Sequence, residues 1–137
     1  MFTREQIEAA VKAKGYKYFE NGEFNLNIIG IRNSTVSYKE NGEWQFFIWL
    51  ATTDNGGGTA RMVPGQYPGS HYIGLHQGKY EALKQKAPVK VYRDFNLKDG
   101  IYDESKIESG VFGINIHKAG EDSLQIGDWS HGCQVFK

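Results

Sequence analysis

The chain has 137 residues, of which 39% are hydrophobic and 14% aromatic, so it is long enough to form one domain with its own core. Its 16 basic and 16 acidic side chains cancel, which gives no reason to expect a nucleic-acid or anionic-membrane partner. The single cysteine excludes an internal disulfide. The longest apolar run, Phe46 to Ala51, is far below the ~20 residues that span a bilayer.

The first residues predict a short amphipathic helix. Thr3 can cap it with Gln6 as the capping-box partner, and Gly15 is a suitable stop. The polar opening contains no apolar signal core, so export by the general secretory route is not predicted. We expect synthesis in the cytoplasm.

Two Asn-Gly pairs predict β-turns, because both turn residues need a positive φ angle. Asn21-Gly22 should close a hairpin between residues 16–20 and 23–28. In the second of these strands Leu26 and Ile28 should face inward, and Asn27 outward. Asn41-Gly42 should precede an apolar strand at 45–51.

The middle of the chain predicts further strands. Pro64-Gly65 is typical of a type II turn and should place Tyr67 on a strand. Residues 79–86 contain good helix formers and should make a short helix before Pro88, and 89–93 alternate as a strand. Residues 94–110 are polar and predict a solvated insertion. The whole pattern predicts a mainly β fold, a sandwich with a short N-terminal helix and one further short helix.

Two of the four histidines, His71 and His76, lie in this middle region. Their spacing matches no helical ligand pair, and no glutamate is placed as a base, so we predict no metal and no cofactor. A zinc site built with His117 and His131 stays open as an alternative. His76 could instead line a substrate cleft.

The end of the chain carries the strongest chemical signal. Residues 111–117 alternate as a strand that ends at His117, and a second extended segment begins near Gln134, just after Cys133. If the two segments are neighbours in a sheet, the thiol and the imidazole can meet. Such a thiolate–imidazolium pair is the usual way to activate sulfur as a nucleophile. The open alternative is a buried structural cysteine beside a strand histidine.

The order of His117, a connection and then Ser130-His131-Gly132-Cys133 resembles the signature of the L,D-transpeptidase catalytic domain (YkuD-type). Segments such as 26–32, 63–67 and 90–94 are also similar to uncharacterised phage and bacterial members. Two positions depart from the family pattern. Lys118 stands where a small residue is usual, and Gln134-Val135 replace an aliphatic residue followed by arginine.

The resemblance implies an L,D-transpeptidase-like β-sandwich and a cysteine enzyme that acts on peptidoglycan stem peptides through a thioacyl intermediate. The resemblance implies that Cys133 is the nucleophile, that His117 is its base, and that His131, Gly132 and Cys133 form the oxyanion hole. The base also needs an orienting group, and since Asp128 is the one acid close in sequence to the Cys133 motif, we predict that the backbone carbonyl of Lys118 takes this part, with Asp128 as the alternative. The predicted substrate-binding residues are Tyr67, His76, Ser130 and Trp129.

The resemblance also sets expectations for the whole protein. Residues 1–137 should form a single domain, either complete or truncated at its C-terminal end, since the family usually continues into a further helix and strand. We expect a monomer with no nucleic-acid or membrane partner, reaching the cell wall after phage lysis or specialised secretion. The alternative is an inactive cell-wall-binding or virion-associated structural module.

Overall fold

A computed structural model describes residues 2–30, 33–52, 60–93, 102–119 and 133–136. The fold is mainly β with one short N-terminal helix, as the sequence predicted. The chain divides into two compact units, Met1–Leu50 and Ala51–Lys137. No helix in the described ranges has the length and apolar character needed to cross a membrane.

The first unit opens with helix α1, Arg4–Ala13. The predicted capping box is present: the Thr3 hydroxyl accepts from the Gln6 amide, and the Gln6 side chain accepts from the Thr3 amide. Glu8 bonds Arg4 and Lys12, one turn away on either side. Gly15 follows the helix with φ of 73°, which explains why the helix stops there.

Three antiparallel strands complete the first unit: β1 Asn27–Gly30, β2 Asn33–Glu40 and β3 Glu43–Thr52. Asn41 and Gly42, with φ of 53° and 78°, form the tight turn between β2 and β3. The predicted strand at 45–51 is confirmed within β3.

Two predictions for the first unit are wrong. Residues 16–20 form no strand, so the turn at Asn21-Gly22 closes no hairpin. The predicted facing of β1 is also reversed, since Asn27 is buried and Leu26 is exposed. Both errors have one cause: the Asn27 amide accepts from the Phe19 N–H and donates to the Phe19 carbonyl, which replaces a strand ladder with a side-chain bridge.

The second unit holds two sheets. Seven strands and the end of β3 build them: β4 Ala60–Met62, β5 His71–His76, β6 Tyr80–Gln85, β7 Val89–Arg93, β8 Asp103–Gly110, β9 Ile116–Lys118 and β10 Gln134–Phe136. One sheet has the order β5-β6-β9-β10, with the last residues of β3, Ala51 and Thr52, beside β10. The other has the order β4-β7-β8.

The hydrophobic core of the second unit lies between its sheet β4-β7-β8 and the segment that leads into β9. Ala60, Val89, Val91 and Ile114 are almost fully buried, with Met62, Tyr67 and Phe112 packed against them. The core therefore fixes the segment that precedes His117 in the sequence.

Three predictions for the second unit need correction. Residues 79–86 form no helix but strand β6, because the turn at Gln77 and Gly78 pairs it with β5 along its length, and this pairing overrides local helix propensity. Residues 103–110 form strand β8, paired with β7. Tyr67 lies outside any strand, whereas the strand at 89–93 is confirmed as β7.

Candidate active site

The two segments that carry His117 and Cys133 are parallel neighbours in the sheet, which is the condition that the sequence analysis set for the thiol and the imidazole to meet. Val135 in β10 pairs with His117 in β9. Side chains alternate along a strand, so Cys133, two residues before Val135, belongs to the same sheet face as His117. The backbone carbonyl of Asn115 accepts a hydrogen bond from the backbone N–H of Gln134 at 2.8 Å, which continues the strand pairing towards Cys133.

His117 is buried, with 6% of its surface exposed, and its ring is held at one nitrogen. Nδ1 donates to the backbone carbonyl of Lys118 at 2.8 Å, and this is the kind of carbonyl that the sequence predicted as an orienting group. Because Nδ1 carries that proton, Nε2 is the nitrogen left to take the thiol proton. A hydrogen bond with the Cys133 thiol raises the pKa of His117, against the lowering effect of burial.

Cys133 is half-buried, so its sulfur can meet both the imidazole and a substrate. Its Sγ also lies 3.7 Å from the carbonyl oxygen of Gly113, which accepts the weak thiol hydrogen bond. Gly113 has φ of 75°, a conformation that favours glycine. The turn before β9 thus brings a second acceptor to the thiol.

Two further rings complete the cluster around His117. His76 stacks on it with ring centroids 4.3 Å apart, and the hydroxyl of Tyr80 lies 3.2 Å from its Nδ1. His76 and Tyr80 are a cross-strand pair beside the tight turn of the β5–β6 hairpin, with centroids 5.4 Å apart. The hairpin therefore delivers both rings to one side of the base.

The charges in this cluster influence one another. Burial lowers the pKa of His76, and the nearby charges of His117 and Lys84 lower it further. Burial raises the pKa of Tyr80, and the charge of Cys133 adds to the rise. A positive charge on His117 or Lys84 disfavours a second positive charge on His76, and a negative charge on Cys133 disfavours one on the Tyr80 hydroxyl.

Gln85, at the end of β6, fixes the backbone that leads into β9. Its amide nitrogen donates to the carbonyls of Ala87 and Gly110, both at 2.9 Å. Its amide oxygen accepts from the N–H groups of Phe112 and Ile114, both at 3.0 Å. The oxygen of this buried amide thus holds the irregular stretch before β9, while its nitrogen bonds the loop after β6 and the last residue of β8.

The structure brings together Cys133, His117, His76 and the Lys118 carbonyl among the predicted site residues. Tyr67 packs against the core and donates its hydroxyl to the Val63 carbonyl at 2.7 Å, so its side chain has a structural partner. Residues 128–132, with the alternative orienting acid Asp128, the predicted oxyanion residues His131 and Gly132 and the predicted substrate-binding residues Trp129 and Ser130, lie outside the described ranges.

Sequence reasoning missed Tyr80, Gln85 and Asn115. The first two were assigned to a helix, which hid their position at the two ends of a strand. Asn115 could have been found, because it lies two residues before His117 in an alternating run and so on the same predicted face. The described residues contain no group of three or more histidine, cysteine or acidic side chains that could hold a metal ion.

Comparisons of the chain with protein-family models, with curated proteins and with solved structures gave no match.

Proposed function

We propose that the protein is a cysteine acyltransferase or peptidase that acts on peptidoglycan stem peptides. The observation that carries the proposal is the hydrogen-bonded pair of Cys133 and His117, with the imidazole oriented by a backbone carbonyl. An oriented base beside a thiol is the arrangement that nucleophilic sulfur catalysis requires. The substrate class comes from the resemblance of the Ser-His-Gly-Cys motif to L,D-transpeptidases.

The geometry supports a two-step acyl transfer. His117 takes the thiol proton, Sγ attacks the amide carbonyl, and a C–S bond forms as the C–N bond breaks. The proton passes from His117 to the leaving amine. An amine or water then attacks the thioester, which gives a new amide or a free acid and restores the thiol.

Intact-protein mass spectrometry with purified stem peptides tests the proposal. The native protein should gain the mass of the acyl fragment on Cys133, and digestion of sacculi should change the muropeptide profile. Cys133→Ala should abolish the adduct, and His117→Ala should slow its formation by roughly 10²- to 10⁴-fold, the usual contribution of a general base.

Lys90→Ala is the matched control, because Lys90 is exposed on β7 in the other sheet. It should form the adduct at the native rate. If the native protein forms no adduct and leaves sacculi unchanged while folded, the enzyme proposal is wrong. The alternative of an inactive cell-wall-binding or virion-associated module would then replace it.

A further inference from the structure

The side chain of Asn115 joins two strands at the site, and its orientation is fixed by what surrounds it. Its Oδ1 accepts from the backbone N–H of Gln85 at 3.0 Å, and its Nδ2 lies 3.1 Å from Nδ1 of His76. A backbone N–H can only donate, so the amide oxygen must face Gln85. The NH₂ group must then face His76.

This orientation determines the protonation state of His76. An amide NH₂ group donates and cannot accept, so Nδ1 of His76 must accept and carries no proton. The proton of the neutral ring therefore sits on Nε2. A second proton on Nδ1 would break the bond to Asn115 and leave two donors facing each other.

The neutral state of His76 matters because its ring stacks on His117 at 4.3 Å. Two imidazolium rings at that distance repel strongly, so the stack accepts one proton far more readily than two. When one of the two rings takes that proton, the other ring stays neutral. Only a proton on His117 can pair with the sulfur of Cys133 and reach a leaving amine.

Among the other charged and titratable groups near the two stacked rings, Lys84 and Cys133 favour the same outcome. Lys84 on β6 disfavours a charge on His76, and Tyr80 on β6 is neutral at ordinary pH. On β9, Lys118 places its ammonium 5.6 Å from the centre of the Tyr80 ring. Cys133 favours a charge on the ring that it touches, His117. Asn115 is the group that acts on His76 through a direct hydrogen bond.

We propose that Asn115 is a positioning residue that holds His76 in its neutral form and thereby makes His117 the ring that carries the proton. The catalytic consequence rests on the proposed function, because it concerns the imidazolium that protonates the leaving amine. The order in which the two histidines take up protons does not depend on the proposed function. The inference thus adds a second histidine and its amide partner to the chemistry of the cysteine pair.

Histidine titration by NMR, followed at the ring Cε1–H signals, tests the inference on the folded protein. In the native chain His117 should titrate above pH 6.5 and His76 below it. In Asn115→Asp, a carboxylate of the same shape still accepts from the Gln85 N–H but also accepts a hydrogen bond from a protonated Nδ1 of His76. The order should invert, with His76 titrating above His117.

A rescue variant separates this selection from a general disturbance of the site. In the double variant Asn115→Asp with His76→Gln, no second imidazole competes, so His117 should again titrate above pH 6.5. An unchanged order in Asn115→Asp would overturn the inference. So would a native chain in which His76 titrates first on lowering the pH, and this outcome needs no variant to fold.

An activity measurement keeps the two proposals distinct. If the native protein forms the thioester, Asn115→Asp should move the alkaline limb of its formation to lower pH, because the imidazolium of His117 is lost earlier. If the native protein forms no thioester but the titration order inverts as expected, the proposed function fails and the protonation selection stands. If the thioester forms and the order does not invert, the selection fails alone.

Discussion

The imidazole of His117 experiences opposing effects on its charge. Burial disfavours the charged ring, while the thiol of Cys133 and the carbonyl of Lys118 favour it, and the favourable contacts prevail. A raised pKa means that the imidazolium persists to higher pH than in a free histidine. The same contact should favour the thiolate, because two opposite charges stabilise each other.

Alkylation of Cys133 by iodoacetamide tests this pairing without any substrate. An ordinary thiol with a pKa near 8.5 is only about 3% ionised at pH 7. Pairing with His117 should give reaction well below pH 7, and His117→Ala should return the rate profile towards that of an ordinary thiol. The profile against pH is the measurement.

Lys90→Ala serves as the control and should leave the profile unchanged. A native profile that already rises only near pH 8.5, or a thiol that reacts only after unfolding, would show that Cys133 is a structural residue.

At the scale of elements, the strand β6 has two structural roles that the local sequence does not indicate. Its first residue, Tyr80, reaches the site, and its last, Gln85, holds the irregular stretch before β9. The segment between has helix-forming residues, yet its pairing with β5 makes it a strand. Tertiary pairing determines the conformation of residues 80–85, and the positions of Tyr80 and Gln85 at the site depend on that conformation.

Replacing Gln85 with leucine should destabilise the second unit by roughly 3 kcal/mol. The change removes four hydrogen bonds and leaves buried carbonyl and N–H groups unpaired, each of which costs about 1 kcal/mol or more. Urea unfolding, followed by circular dichroism, measures the loss.

Glu81→Leu is the matched control, because Glu81 is an exposed residue of the same strand. It should change the free energy of unfolding by no more than about 0.5 kcal/mol. A loss below about 1 kcal/mol in Gln85→Leu would mean that the segment is held by its core contacts, chiefly those of Ile114.

At the scale of the whole molecule, histidines with shifted pKa values link stability to pH. Burial lowers the pKa of His71, whose Nε2 donates to the carbonyl of Ile114 at 2.8 Å. Its unfolded form, with a pKa near 6.5, binds protons more readily than the folded form. The stability that His71 contributes is therefore present above pH 6.5 and is lost as the pH falls through the folded pKa.

We expect acidification from pH 7.5 to 5.5 to lower the free energy of unfolding less in His71→Gln than in the native chain. Urea unfolding at the two pH values gives this difference. His117 acts in the opposite direction, since its raised pKa adds stability that is lost at high pH. Glu8, whose pKa is lowered to about 2 by Lys12 and Arg4, titrates below this window. Equal losses in both proteins would show that His71 does not link pH to stability.

Features that depend on neighbouring residues could be predicted from the sequence, and features that depend on distant contacts could not. The helix cap at Thr3 and the turn at Asn41 follow from short patterns, whereas the pairing of the His117 and Cys133 segments was only a condition of the sequence analysis. The burial of Asn27 could not be predicted, because its partner Phe19 lies outside its strand. The position of Tyr80 also required a hairpin and a sheet order that no short pattern encodes.

The strand β10 has only three residues and lies between two partners, β9 shortly before it in the sequence and the end of β3 far before it. It runs parallel to β9 on one side and antiparallel to the end of β3 on the other, and its central residue Val135 is 2% exposed. Local hairpins such as β5–β6 can form early, whereas such distant pairings carry a large loop-closure cost. Docking of β10 should thus be the late, slow phase of refolding, and pulse alkylation during refolding would show the activated thiol of Cys133 appearing only in that phase. An incompletely folded chain would then carry a cysteine of ordinary reactivity, so fast alkylation below pH 7 would indicate that folding is complete.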